Sequence, residues 1–210
     1  MSRSALFTRR TALAGAASLP LAAATAKAVR AAAPMMDAGS APYQRVKLGG
    51  FDVTTLLAGT RSVPDPQTIF GMNVDAETFN EVSAAAFIPT DAAQFFFTPT
   101  VVNTGAELIL FDTGLSGAGT TAALQAAGYT ADQIDVVVLT HMHGDHIGGL
   151  STDGARTFPN ARYVTGTTEF DAWSKTDNEG FADKVKPLAD EMTMLEDGGS
   201  VASGITAMAA

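Results

Sequence analysis

The sequence has no cysteine, which excludes disulfides and thiolate metal ligands. That absence says nothing about compartment, because an exported chain of this size has no need of disulfides. Charge is scarce, at 17% of residues against the usual value of about a quarter. Basic charge is scarcer still, with 13 Lys and Arg against 22 Asp and Glu and a formal net charge of −9. Five of the basic residues (Arg3, Arg9, Arg10, Lys27 and Arg30) fall in the first 33 positions, which hold no acid. The remainder carries 8 basic against 22 acidic residues. Such a surface repels nucleic acid, whose recognition needs a basic face. What is present suits a globular chain: 46% hydrophobic residues, and 20 glycines set largely between apolar runs. A length of 210 residues favours one domain, with or without extensions.

Residues 1–33 read as a targeting segment. Arg9 and Arg10 precede a weakly apolar, Ala-rich stretch from Thr11 to Ala26, too short and small-residued for a membrane span. Ala-x-Ala cleavage sites follow at Ala22–Ala24 and Ala31–Ala33. The run Thr8-Arg9-Arg10-Thr11-Ala12-Leu13 resembles a twin-arginine export signal, apart from Ala12, where a bulky apolar residue is common. The expected destination is therefore the periplasm or the exterior, with no stable membrane span once the signal is removed. Residues 34–45, with Pro34, Gly39 and Pro42, read as a linker to a domain over 46–210.

Within that domain, 46–57 suggests two strands joined at Gly49-Gly50, and 61–75, with Pro64 and Pro66, reads as irregular. Residues 76–87 fit a short amphipathic helix. Phe95–Phe97 and Val101–Val102 read as strand broken by Pro99, and Leu108 to Phe111 pairs back across the Asn103-Thr104-Gly105 turn. Thr121 to Ala127 is helical, with Gly128 as its stop. Val136 to Leu139 is a continuous apolar run, as in a strand buried on both faces. Ala161–Val164, Met192–Leu195 and Val201–Ala202 read as strands, and Glu169–Trp173 and Gly180–Val185 as helices. This alternation favours α/β or α+β packing over pure β.

All three histidines of the chain, His141, His143 and His146, fall within six residues, with Asp145 among them. The apolar strand before them delivers their loop at an edge of the sheet, where sites in such folds lie. Neutral imidazole and carboxylate suit Zn²⁺, and also Mn²⁺, Fe²⁺ or Co²⁺. Neighbouring residues of an extended chain point in different directions, so the four need not converge on one ion. Met142 reads as a flexible core residue turned inward. Asp112 ends the strand Leu110-Phe111 and needs a partner if buried. It can accept a hydrogen bond from a ligating histidine, and it can cap the turn through the Thr113 and Gly114 amides, two compatible roles short of direct ligation.

The run Thr140-His141-Met142-His143-Gly144-Asp145-His146-Ile147-Gly148-Gly149, preceded by Leu110-Phe111-Asp112-Thr113-Gly114, resembles the metallo-β-lactamase-fold hydrolases. Phe97 to Gly105, the Ala-Ala-Gly-Tyr helix end at 126–129 and Phe158-Pro159-Asn160-Ala161 look most like the branch of methyl-parathion-hydrolase-like enzymes and quorum-quenching lactonases. The resemblance implies an αββα four-layer sandwich of the α+β class, with His141 and His143 on a first metal and Asp145 and His146 on a second. It also implies two Zn²⁺ per complete site. Asp145 would hold the nucleophilic water and accept its proton, and Asp112 would support a ligand from behind. The implied activity is hydrolysis of an ester, lactone or phosphotriester in a small-molecule substrate.

The family pattern also calls for later ligands, including a Gly-His-x-x-Gly-His-like run, yet no histidine follows His146. The resulting expectation is a truncated chain, the N-terminal half of the sandwich with its C-terminal half missing. Such a half would expose a sheet face, self-associate, bind zinc weakly and have little activity. Two competing readings are a non-catalytic binding or structural remnant of the fold and a di-iron redox enzyme. The latter usually needs a flavin partner domain.

Overall fold

The computed structural model describes residues 42–209. The targeting segment and most of the linker lie outside the described residues. The first strand, β1 (Tyr43–Leu48), begins three residues before the expected domain boundary and pairs antiparallel with β2 (Phe51–Leu56) across Gly49-Gly50. β5 (Thr100–Asn103) and β6 (Leu108–Phe111) form the expected hairpin, and β5 joins β2. β7 (Val136–Leu139), β10 (Arg162–Gly166) and β11 (Met192–Leu195) then add in parallel, while the two-residue strands β8 (Ser151–Thr152) and β9 (Ala155–Arg156) pair with each other outside this sheet. The result is a seven-stranded mixed sheet in the order β1-β2-β5-β6-β7-β10-β11.

Alternation along β7 explains its unbroken apolar run. Val137 and Leu139 enter one hydrophobic cluster with Leu110, Leu124 and Phe158, while Val136 and Val138 enter a second with Ile109 and Val164. Both faces are thus buried, as parallel strands require. Helices pack against the first cluster. α2 (Gly117–Ala126) supplies Ala123 and Leu124 and stops at Gly128, whose φ of +87° suits glycine. α4 (Thr167–Trp173) and α5 (Glu179–Lys184) contribute Phe170, Trp173 and Phe181, whereas α1 (Ala76–Ala85) buries only Ser83.

The second cluster takes in Val201 and Ala202 of β12 (Ser200–Ala202) and Ile205 of β13 (Ile205–Thr206). The expected bare sheet face therefore carries a covering ribbon. The elements run from Tyr43 to Thr206, and the late strands β10 and β11 extend the same sheet. The expectation of only the N-terminal half of an αββα four-layer sandwich is not supported. It rested on counting downstream histidines, which report on a ligand set and not on how far a hydrophobic core extends.

Residues 61–75 are also more regular than expected. β3 (Gly59–Pro64) pairs along its length with β4 (Ala92–Phe97). Pro64 sits at the strand end, where its missing N–H costs no ladder bond. Phe95 and Phe97 of β4 stack on each other, and Phe70 stacks on Phe95.

Candidate metal centre

The histidine loop leaves the carboxyl end of β7, a central strand of the sheet and not an edge strand. Its second half coils into one helical turn, α3 (Gly144–Ile147), which carries Asp145 and His146. Two buried side chains anchor the loop: Met142 and Ile147 both sit in the main core, as the inward reading of Met142 required.

Thr113 holds the far end. Fully buried, it directs both its N–H and its hydroxyl at the carbonyl of His146, at 2.8 and 2.7 Å. The same hydroxyl accepts the Gly149 N–H at 3.1 Å, and the Thr113 carbonyl accepts the Thr120 hydroxyl. This close approach needs glycine, since a Cβ on Gly149 would collide with the Thr113 carbonyl oxygen. The Asp-Thr-Gly element and the histidine run are thus one hydrogen-bonded unit.

Asp112 sits at φ +60°, a left-handed conformation that Asp tolerates better than most residues. Its N–H donates to the Val138 carbonyl at 2.8 Å, continuing the β6–β7 pairing. Its carboxylate does not cap its own turn through Thr113 and Gly114. It accepts the Thr140 N–H at 2.9 Å and the Thr140 hydroxyl at 2.9 Å. The hydroxyl has one proton, so with that proton given to Asp112 it must accept at its 3.1 Å contact with His141 Nδ1. That relay puts the His141 proton on Nδ1 and leaves the Nε2 lone pair free.

His146 is held differently. Its Nδ1 lies 2.8 Å from Asp112 Oδ2, an ion-pair distance, but without hydrogen-bond alignment, so this buried nitrogen has no hydrogen-bond partner. Its Nε2 lies 3.4 Å from Asp145 Oδ2. The His141 and His146 rings are 3.7 Å apart between centroids, and His143 stands edge-on to His141 at 4.8 Å. Burial, and secondarily the neighbouring His146 and His143, hold the proton affinity of His141 below the usual histidine value; Asp112 and Glu169 oppose this more weakly. A neutral imidazole is the form that binds metal.

The donor types therefore suit a borderline divalent ion, and the partnerless His146 nitrogen marks polar capacity that the protein itself does not use. Yet among the described residues no three His, Asp or Glu side chains converge to hold one ion. The four residues singled out from the sequence share one loop without closing around a single point. Four further residues bear on the site: Thr113 and Thr140 through the bonds above, and Glu169 and Trp173 of α4. The Glu169 carboxylate accepts the Met142 N–H at 2.9 Å, and the Trp173 ring lies 5.5 Å from His143. An acid in the first turn of a helix looks, in sequence, like any acid favoured by the helix dipole, so Glu169 gave no separate signal.

A cavity of about 530 Å³ lies against the second cluster, lined by Phe111, Val138, Val164 and Leu195 and also by Thr140 and Glu169. It contains none of the histidines.

Comparison with known proteins agrees with this architecture. Residues 98–206, just over half the chain, match the model of the metallo-beta-lactamase superfamily. The fold resembles that of the dizinc quorum-quenching lactonase AidC in complex with a product (21% identity, TM-score 0.65, 77% of this chain and 63% of that one). It equally resembles the hydrolase AbOPH of the beta lactamase superfamily (24% identity, TM-score 0.66, 78% and 64%). A probable metal-dependent hydrolase from Staphylococcus aureus is also similar (19% identity, TM-score 0.60, 76% and 64%). In sequence, 59 residues are 36% identical to the anti-Pycsar protein Apyc1 of Paenibacillus sp. (strain J14), covering 28% of this chain and 23% of that protein. The chain spans less than two thirds of the length of these solved structures. The shared architecture nonetheless occupies almost all of about 43–209, so the expected loss of a C-terminal half is not supported. On its matched residues and its fold, the chain belongs to the metallo-beta-lactamase superfamily.

Proposed function

We propose that this chain is a metal-dependent hydrolase acting on an ester, lactone or phosphotriester of a small molecule, with His141, His143, Asp145 and His146 as the metal-holding residues. The observation that carries the reading is the Asp112–Thr140–His141 relay, which fixes one imidazole with its Nε2 lone pair free. The buried, unpartnered Nδ1 of half-buried His146 supports it. Zinc suits the donors best, and Mn²⁺, Fe²⁺ or Co²⁺ are compatible. Such an ion, when bound, supplies Lewis acidity toward a carbonyl or phosphoryl oxygen and acidifies water.

The chain's own residues do the rest. Asp112 orients the His141 imidazole through Thr140, and its carboxylate lies 2.8 Å from Nδ1 of His146 without a hydrogen bond to it. Asp145, half-exposed on α3, is the base that takes the proton of the attacking water. Thr113 keeps α3 from shifting under that load by gripping the His146 carbonyl.

A second reading, a non-catalytic module of the same fold, is favoured by one observation: among the described residues no three donors converge. Metal analysis of the purified chain after dialysis at neutral pH separates the two, together with hydrolysis assays on a lactone, an aryl ester and a phosphotriester. Stoichiometric zinc and turnover, both lost in His141→Ala, are expected; no retained metal and no turnover would leave the non-catalytic module. We also propose that Arg9 and Arg10 direct twin-arginine export to the periplasm or beyond. Retention of Arg9→Lys/Arg10→Lys in the cytoplasm would test it, and unchanged export would refute it.

A further inference from the structure

β7 ends at Leu139, so the backbone of the histidine loop has left the sheet's hydrogen-bond ladder by Met142. The Met142 amide lies between the two leading histidines, on a residue with no exposed surface, and a buried N–H left alone is costly. Its acceptor comes from a different element. Glu169 in the first turn of α4 reaches across 27 residues of sequence to take it at 2.9 Å. A carboxylate acceptor makes a stronger bond than a carbonyl. Four residues on, and so on the same face of the helix, Trp173 sets its ring perpendicular to that of His143, with centroids 5.5 Å apart. Between them Phe170 packs on the main core and meets Phe181 at 5.5 Å, which anchors the helix.

We propose that α4 clamps the histidine loop and that Glu169 is its positioning residue, fixing the backbone between His141 and His143 so that their imidazoles keep one mutual orientation. The clamp gains its purpose from the proposed metal-binding reading. It assigns Glu169 no contact with substrate. The rival view is that Glu169 merely stabilises α4 as an acid near a helix N-terminus.

Two conservative variants of the full chain separate these views. Glu169→Asp keeps the charge at the helix start but withdraws the carboxylate by one methylene. Glu169→Gln loses the charge but keeps an acceptor oxygen at the same reach. Amide hydrogen exchange at Met142 is read by NMR, with the Leu110 amide in β6 as a control for the intact sheet. Zinc affinity is read by chelator competition, with the emission of Trp173, the single tryptophan, as reporter. The clamp requires Glu169→Asp to lose at least about tenfold in Met142 protection and about tenfold in zinc affinity, with Glu169→Gln, whose neutral oxygen is the weaker acceptor, losing less than Glu169→Asp on both. Wild-type protection of Met142 in Glu169→Asp overturns it. Failure of the wild-type chain to bind zinc overturns the metal-binding reading instead, and the exchange pattern then decides the clamp alone.

Discussion

The histidine loop at the end of β7 and the arm formed by β3, α1 and β4 are built from opposite materials. The arm is the more apolar, with Ile69, Phe70, Val82, Phe87, Ile88 and Phe96, yet all of these are exposed. The loop is rich in histidine, aspartate and glycine, yet Thr113, Asp112, Glu169 and two buried apolar anchors hold it fast. What ties the loop to the core is the satisfaction of backbone groups and the burial of a few side chains, not the local content of apolar residues. The backbone of the loop is tied to its neighbours, while the large apolar side chains of the arm lie on the surface.

Substitutions sharpen that contrast in a definite order. The largest effects belong to the imidazoles: His141→Ala and His146→Ala should each weaken zinc binding more than about a hundredfold, beyond what the loss of a supporting partner costs. Asp112→Ala comes next, at about ten- to a hundredfold, because Thr140 and through it His141 lose their orientation. Isothermal titration of the full chain with zinc measures both. Thr113→Val should lower stability by about 1–3 kcal/mol, read from urea denaturation, since the buried Gly149 N–H would lose its acceptor.

A smaller effect concerns pH. Because folding depresses the proton affinity of His141, the unfolded chain binds that proton more readily. Its contribution to stability is therefore fully present above the ordinary histidine value of 6.5 and is lost as pH falls through the lower folded value. The urea midpoint should drop between pH 7.5 and 5.5, and less so in His141→Gln. In the arm, Phe87→Ser should change stability by no more than about 0.5 kcal/mol, as the side chain is 96% exposed. A loss like that of Thr113→Val at Phe87 would break the comparison.

What the sequence made legible follows the same division. Val136–Leu139 announced a strand buried on both faces, because a run of only four aliphatics, three of them β-branched and bounded by polar residues, favours strand over helix. The clustering of all three histidines announced the loop. The pairing of 59–64 with 92–97 was hidden, because 27 residues separate the strands and Pro64 and Pro66 mask the first. The roles of Thr113, Thr140 and Glu169 were hidden for a related reason: each acts on a residue brought near only by the sheet. The extent of the fold was misjudged because ligand residues were used to measure it, whereas Val201, Ala202 and Ile205 continue the core well past the last histidine.

Zinc K-edge X-ray absorption on the zinc-loaded full chain at neutral pH tests most directly whether this loop holds a divalent ion. The account predicts imidazole scattering, with nitrogen ligands at about 2.0–2.1 Å, that disappears in a His141→Ala/His146→Ala double variant. A spectrum of oxygen ligands alone, unchanged by that double substitution, would contradict it.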